Sequence, residues 1–105
     1  YNLKARYVIH TVGPVYKDGK SGEPELLKNC YYNSLRLAVK NNIRTIAFPS
    51  ISTGAYGYPV KEAAPVAIKT VIDFLSNDNN IEKVLFVLFS QTDYDIYREI
   101  LEKLI

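Results

Sequence analysis

The chain has 105 residues, 48% of them apolar, and a formal net charge of +2. It is long enough for one domain with a real core, and without a basic block or stripe it is not built as a general nucleic-acid binder. No apolar run would span a bilayer or act as a signal peptide, and one cysteine, Cys30, with one histidine, His10, offers neither a disulfide nor a metal cluster.

The lone thiol points to a reducing compartment, here the cytoplasm. The first residue is Tyr1 rather than methionine, so a truncated or processed piece of a longer protein is expected.

Three strand-then-helix units follow one another. Tyr7-Val8-Ile9-His10-Thr11-Val12 is rich in β-branched and aromatic residues and stops at Gly13-Pro14, which predicts a strand and a turn. A polar loop, residues 17–22, leads to Pro24, suited to the first turn of a helix. Leu27, Cys30, Tyr31, Ser34, Leu35 and Ala38 then recur at helical spacing. That helix should end near Asn41-Asn42, before a second strand over residues 45–49.

After a run of small residues, Pro59 opens a second helix with the stripe Val60, Ala63, Ala64, Ala67, Ile68, Val71 and Leu75. Residues 76–80 end it. The third strand, residues 84–89, is apolar on both faces, as a parallel strand between two helix layers would be. Thr92, with Asp95 three positions on, is set out as a capping box for a last helix whose apolar face is Tyr97, Ile100, Leu101 and Leu104. The pattern is one α/β unit with no repeat or linker.

The segment from Phe48 to Pro59 carries the chemistry. A loop between a parallel strand and a helix lies at the carboxyl edge of the sheet, where open α/β folds bind ligands. Gly54 and Gly57 permit positive φ and close backbone approach, and Ser50, Ser52 and Thr53 add hydroxyls. Successive N–H groups in such a turn form a nest for an anion, and a helix N-terminus nearby adds about half a positive charge. No lysine or arginine lies in the loop, which suits a phosphate that is held rather than transferred. Spacing alone also allows a plain tight turn against which Tyr56 merely packs.

The string Ala47-Phe48-Pro49-Ser50-Ile51-Ser52-Thr53-Gly54-Ala55-Tyr56-Gly57-Tyr58-Pro59 resembles the diphosphate loop of macro domains of the MacroD type. Residues 7–14, the run Cys30-Tyr31-Tyr32-Asn33-Ser34-Leu35, and the closing Phe86-Val87-Leu88-Phe89 with Tyr94 and Tyr97 resemble the same family in the same order. The resemblance implies a three-layer α/β/α macro-domain sheet, with residues 1–105 as the C-terminal part of one domain lacking the N-terminal strands. It implies ADP-ribose or an ADP-ribosylated substrate as partner, no cofactor and no metal. The backbone of Ser52, Thr53, Gly54, Ala55 and Tyr56 would wrap the diphosphate and distal ribose. Phe89, with Ser90 beside it, would lie on the adenine side.

Catalytic members of that family carry an Asn-Ala-Ala-Asn strand, a Gly-rich loop with an acidic residue, and an aspartate for the adenine, and none of these is in this sequence. The catalytic residues are therefore expected outside it. The strand missing between residues 7–12 and 45–49 would leave two facing edges bare, so the rest of the protein or another chain is expected to supply it.

The other chemistry-bearing residues read as structural. His10 has no Ser, Cys or acidic partner nearby in sequence and reads as a histidine buried or on the sheet face. Cys30 sits on an apolar stripe as a small hydrophobe. Asp93 and Asp95 suit a helix start. The nine tyrosines are expected to pack with hydroxyls reaching water. The functions to be separated are an ADP-ribosyl hydrolase or O-acetyl-ADP-ribose deacetylase, a reader that binds ADP-ribose without turnover, and an unrelated phosphoryl enzyme, the last disfavoured by the absence of cations in the loop.

Overall fold

The computed structural model describes residues 7–104, and over them the order is α1 (Glu23–Lys40), β1 (Thr45–Phe48), α2 (Val60–Asn77), β2 (Lys83–Phe86) and α3 (Gln91–Leu104). Tyr1, on which the expectation of a shortened chain rests, lies outside the described residues. Among the described residues no helix is long and apolar enough to cross a membrane.

Helix α1 begins where Gly22 takes a left-handed turn (φ 86°) and Pro24 occupies the first turn. There a missing N–H costs nothing, because no intrahelical acceptor exists for it. Glu23 and Glu25 sit at the positive end of its dipole and Lys40 at the negative end. Its predicted stripe, Leu27, Cys30, Tyr31, Ser34, Leu35 and Ala38, is buried throughout. Cys30 is a core residue whose thiol donates to the Val12 carbonyl (3.3 Å). Helix α2 buries Ala63, Ala64, Ala67, Ile68 and Val71 against it. Small side chains there let the two helices approach closely.

Strands β1 and β2 are parallel, with Thr45 opposite Lys83 and Phe48 opposite Phe86. The Val87 N–H extends the ladder to the Phe48 carbonyl (2.8 Å). Phe48 and Phe86 face the helices. Tyr31 of α1 meets Phe48 edge-on at 4.9 Å, and Tyr97 of α3 lies 5.2 Å from Phe86. One core therefore sits on one face of the sheet.

Four expectations need correction. Among the described residues strand β2 is covered on one face only, with Leu85 43% and Val87 50% exposed, because α1 and α3 meet it on the Phe48–Phe86 side, with α2 packed against both. Residues 7–12 form no strand, so two paired strands stand where three strand–helix units were expected. A strand exists only through its ladder, and among the described residues the only ladder is that of β1 with β2. His10, on this run without a ladder, is exposed and so neither buried nor on a sheet face. Finally, α3 is capped by Ser90, not Thr92. The Ser90 hydroxyl accepts the Asp93 N–H (3.1 Å), two residues ahead of the predicted box.

Candidate functional site

Because β1 and β2 are parallel and in register, the loops leaving Phe48 and Phe86 depart from the same edge of the sheet. The first loop is held at its entrance by tyrosines. The buried Tyr31 hydroxyl donates to the Pro49 carbonyl (3.3 Å) and accepts the Ile51 N–H (3.0 Å). The Tyr97 hydroxyl lies 2.7 Å from Ser50 Oγ. Burial pushes both phenols above their ordinary pKa of 10, and for Tyr31 the neighbouring Tyr97 adds to the effect. Both therefore stay protonated. These hydroxyls were expected to reach water. They bind the loop instead.

Positive φ occurs at Ser52 (67°) and Gly57 (73°), not at Gly54. A side chain in the left-handed region costs about 1–2 kcal/mol, and at Ser52 that geometry is maintained by the Tyr58 N–H, which donates to its carbonyl at 2.9 Å. Gly54 is bare for another reason. A Cβ on it would meet nothing within 4 Å, so the ground above it is open.

The loop's far end is closed by the Gly57 N–H on the Gly54 carbonyl (3.0 Å) and by the Tyr16 N–H on the Tyr56 carbonyl (2.9 Å). Tyr16 packs on Tyr58 (4.9 Å) and donates to the Glu62 carboxylate (3.1 and 3.2 Å). Behind it the carboxylate of buried Glu23 accepts the N–H groups of Lys17, Asp18, Gly19 and Ser21 at 2.7 to 3.1 Å. Those main-chain bonds, Lys17 foremost, hold its pKa down to about 2 against the opposing effect of burial.

With entrance and exit tied, the N–H groups of Ser52, Gly54, Ala55 and Tyr56 donate to no acceptor among the described residues. The predicted loop residues are thus brought into one turn with four unused donors and no cation among them. Ser52 Oγ is buried and likewise without a partner among the described residues. Gly13 lies over it, and a Cβ there would overlap Ser52 Oγ.

Phe89 leaves the same edge from β2 and stands 91% exposed. It is not among the described residues that line the cleft beside β1. Ser90 beside it is engaged as the cap of α3. Between residues 7–13 and β1 runs a cleft of about 1270 Å³, lined also by Ser52 and Tyr56. No carboxylate is among its described lining residues.

The macro domain family model matches residues 1–67, well over half of the chain. The chain belongs to the macro domain family. This macro domain is 53% identical over 100 residues to an O-acetyl-ADP-ribose deacetylase of Klebsiella pneumoniae, covering 95% of this chain and 57% of that protein. It matches an Oceanobacillus iheyensis macrodomain with ADP at a TM-score of 0.86 and 48% identity, covering 90% of this chain and 50% of that one. A Trypanosoma brucei macrodomain in complex with ADP-ribose matches at a TM-score of 0.85 and 39% identity, covering 94% and 41%. The chain spans about three-fifths of the length of the curated relatives it matches.

Sequence reasoning missed Tyr16, Tyr31, Tyr97, Glu23 and Gly13 as parts of the site's framework. Tyr31 and Tyr97 were legible only as apolar stripe positions, since nothing local announces a partner some 20 or 47 residues away. For Glu23 a signal existed: an acid directly after a Gly-rich polar loop, at a helix start.

Proposed function

We propose that this macro domain holds ADP-ribose by its diphosphate and distal ribose on Ser52, Thr53, Gly54, Ala55 and Tyr56, and that the full-length protein hydrolyses the esters ADP-ribose forms with acyl groups. The observation that carries the reading is the set of four main-chain donors left without acceptors in a cation-free turn. Unpaired N–H groups are costly unless water or a ligand takes them. A diphosphate offers several oxygens, and a nest of amides can meet them. The solved relatives with ADP and ADP-ribose support that choice of ligand.

Phe89 supplies an aromatic face on the adenine side, and Ser90, whose oxygen accepts the cap bond, keeps its O–H as a donor beside it. The cleft beside β1 takes an extended strand from the remainder of the protein, which supports the idea that the catalytic groups arrive with it. In the reaction, water adds to the acyl carbonyl carbon, the bond to the ribose oxygen breaks, and a carboxylic acid leaves with free ADP-ribose. O-Acetyl-ADP-ribose and ADP-ribosylated Asp or Glu side chains fit that chemistry, and the deacetylase relative supports the first. This chain's part is binding and orientation. The buried lone thiol of Cys30 supports a reducing, cytoplasmic setting.

A non-catalytic reader is the second reading, since holding the ligand on the loop needs none of the catalytic groups expected outside this chain. Release of acetate from O-acetyl-ADP-ribose by the full-length protein decides between them: tight binding without release selects the reader.

The loop itself is tested by Gly54→Glu in the full-length protein. The site above Gly54 is open, so the side chain fits without strain and lays its charge in the nest. Folding should be retained and ADP-ribose binding lost by calorimetry. Unchanged affinity would sink the loop assignment.

A further inference from the structure

We propose that Tyr31 and Tyr97 are positioning residues whose hydroxyls set the conformation of the phosphate-holding loop from two different helices. The role in binding rests on the ADP-ribose reading above; the clamp itself does not.

Three consecutive residues at the exit of β1 are each held by a phenol. Tyr31 bridges the Pro49 carbonyl and the Ile51 N–H, and Tyr97 pairs with Ser50 Oγ. Packing does not require these hydroxyls. The rings already fill the core, at 4.9 Å from Phe48 and 5.2 Å from Phe86, and phenylalanine would fill the same space. A buried hydroxyl without a partner is unfavourable, so the oxygens are accounted for by what they bind. What they bind is the loop main chain and its first serine.

The residue that follows is Ser52, held at φ 67°. The loop's own bonds are few: the Tyr58 N–H on the Ser52 carbonyl (2.9 Å), the Thr53 Oγ1 (2.9 Å) and N–H (3.5 Å) on the Ser50 carbonyl, and the Gly57 N–H on the Gly54 carbonyl (3.0 Å). The clamp thus supplies the fixed frame from which the donors of Ser52, Gly54, Ala55 and Tyr56 project. Without the Tyr31 hydroxyl, the Ile51 N–H loses its acceptor, and the cheapest relief is a turn of the 49–52 backbone that spoils the nest.

The test compares full-length wild type with Tyr31→Phe, Tyr97→Phe and a control, Thr70→Val. Thr70 is also buried and hydrogen-bonded, its Oγ1 reaching the Val66 carbonyl (2.6 Å) within α2. ADP-ribose is titrated well below each melting temperature, so that loss of stability alone cannot alter affinity. Amide exchange of residues 50–56 is followed in the free proteins. Each tyrosine variant should weaken binding roughly tenfold, about 1.4 kcal/mol, and speed exchange at Ile51 or its neighbours, while Thr70→Val changes neither. If one tyrosine variant fails to fold, the other carries the test. Wild-type affinity and exchange in both tyrosine variants would overturn the clamp. If wild type itself binds no ADP-ribose, the proposed function fails instead, and exchange alone judges the clamp: faster in the tyrosine variants upholds it, unchanged overturns it.

Discussion

Gly13→Ala is the sharpest probe of how the segment before α1 meets the loop. A methyl group at this position would overlap Ser52 Oγ and stand 2.6 Å from Ile51 Cγ2, about 0.8 Å inside the 3.4 Å at which ordinary contact begins. Ser52 Oγ is itself buried and can give only part of the distance. Ile51 has less room, being buried with its N–H tied to Tyr31. Crowding of that kind costs about 1–3 kcal/mol, which lowers the melting temperature of a full-length protein of this family by several degrees. It also pushes the loop out of place, and a misplacement near 1 Å in a binding frame is felt as a loss of about tenfold or more. The assay is a thermal melt and an ADP-ribose titration of the full-length protein, repeated with Ser52→Gly added. Glycine removes the overlapping oxygen and accepts φ 67° without strain. The double variant should therefore recover about 1 kcal/mol or more relative to additivity. Wild-type melting and affinity for Gly13→Ala, or strict additivity in the double variant, would refute the contact between residue 13 and the loop.

Two further outcomes are expected in the full-length protein. Phe89→Ala should raise the ADP-ribose Kd by the equivalent of about 1–3 kcal/mol, the usual loss when a base gives up an aromatic partner, while an equal Kd in both proteins would remove Phe89 from the site. Glu23→Gln should lower stability at neutral pH, and its gap to wild type should close in acid. The folded pKa of Glu23 lies at about 2, below the ordinary 4.5, so its contribution is complete above pH 4.5 and fades as the pH falls toward 2. Melting temperatures across that range check this, and a gap that stays constant would remove the carboxylate from that role.

Much of the architecture was legible because helices announce themselves locally. The stripe of α1 emerged buried at every named position, and Pro24 and Pro59 marked the starts of α1 and α2 within a residue or two. The small-residue run after β1 was equally plain, with its lack of cations. Its internal geometry was not. Gly54 and Gly57 both permitted a left-handed turn, yet of the two only Gly57 takes it, joined by Ser52, whose carbonyl is held by the Tyr58 N–H.

The amino-acid order alone determined the apolar faces of α1 and α2, where those two helices start, and that a cation-free run of small residues follows β1. These follow from periodicity and from residues within a few positions of one another. Tertiary structure alone decided that, among the described residues, 7–12 join no ladder and β2 is covered on one face, and that two core tyrosines turn their hydroxyls to the loop. Each of those depends on a partner distant in sequence or on a neighbouring strand, and a hydrogen bond between remote groups exists only once packing has brought them together.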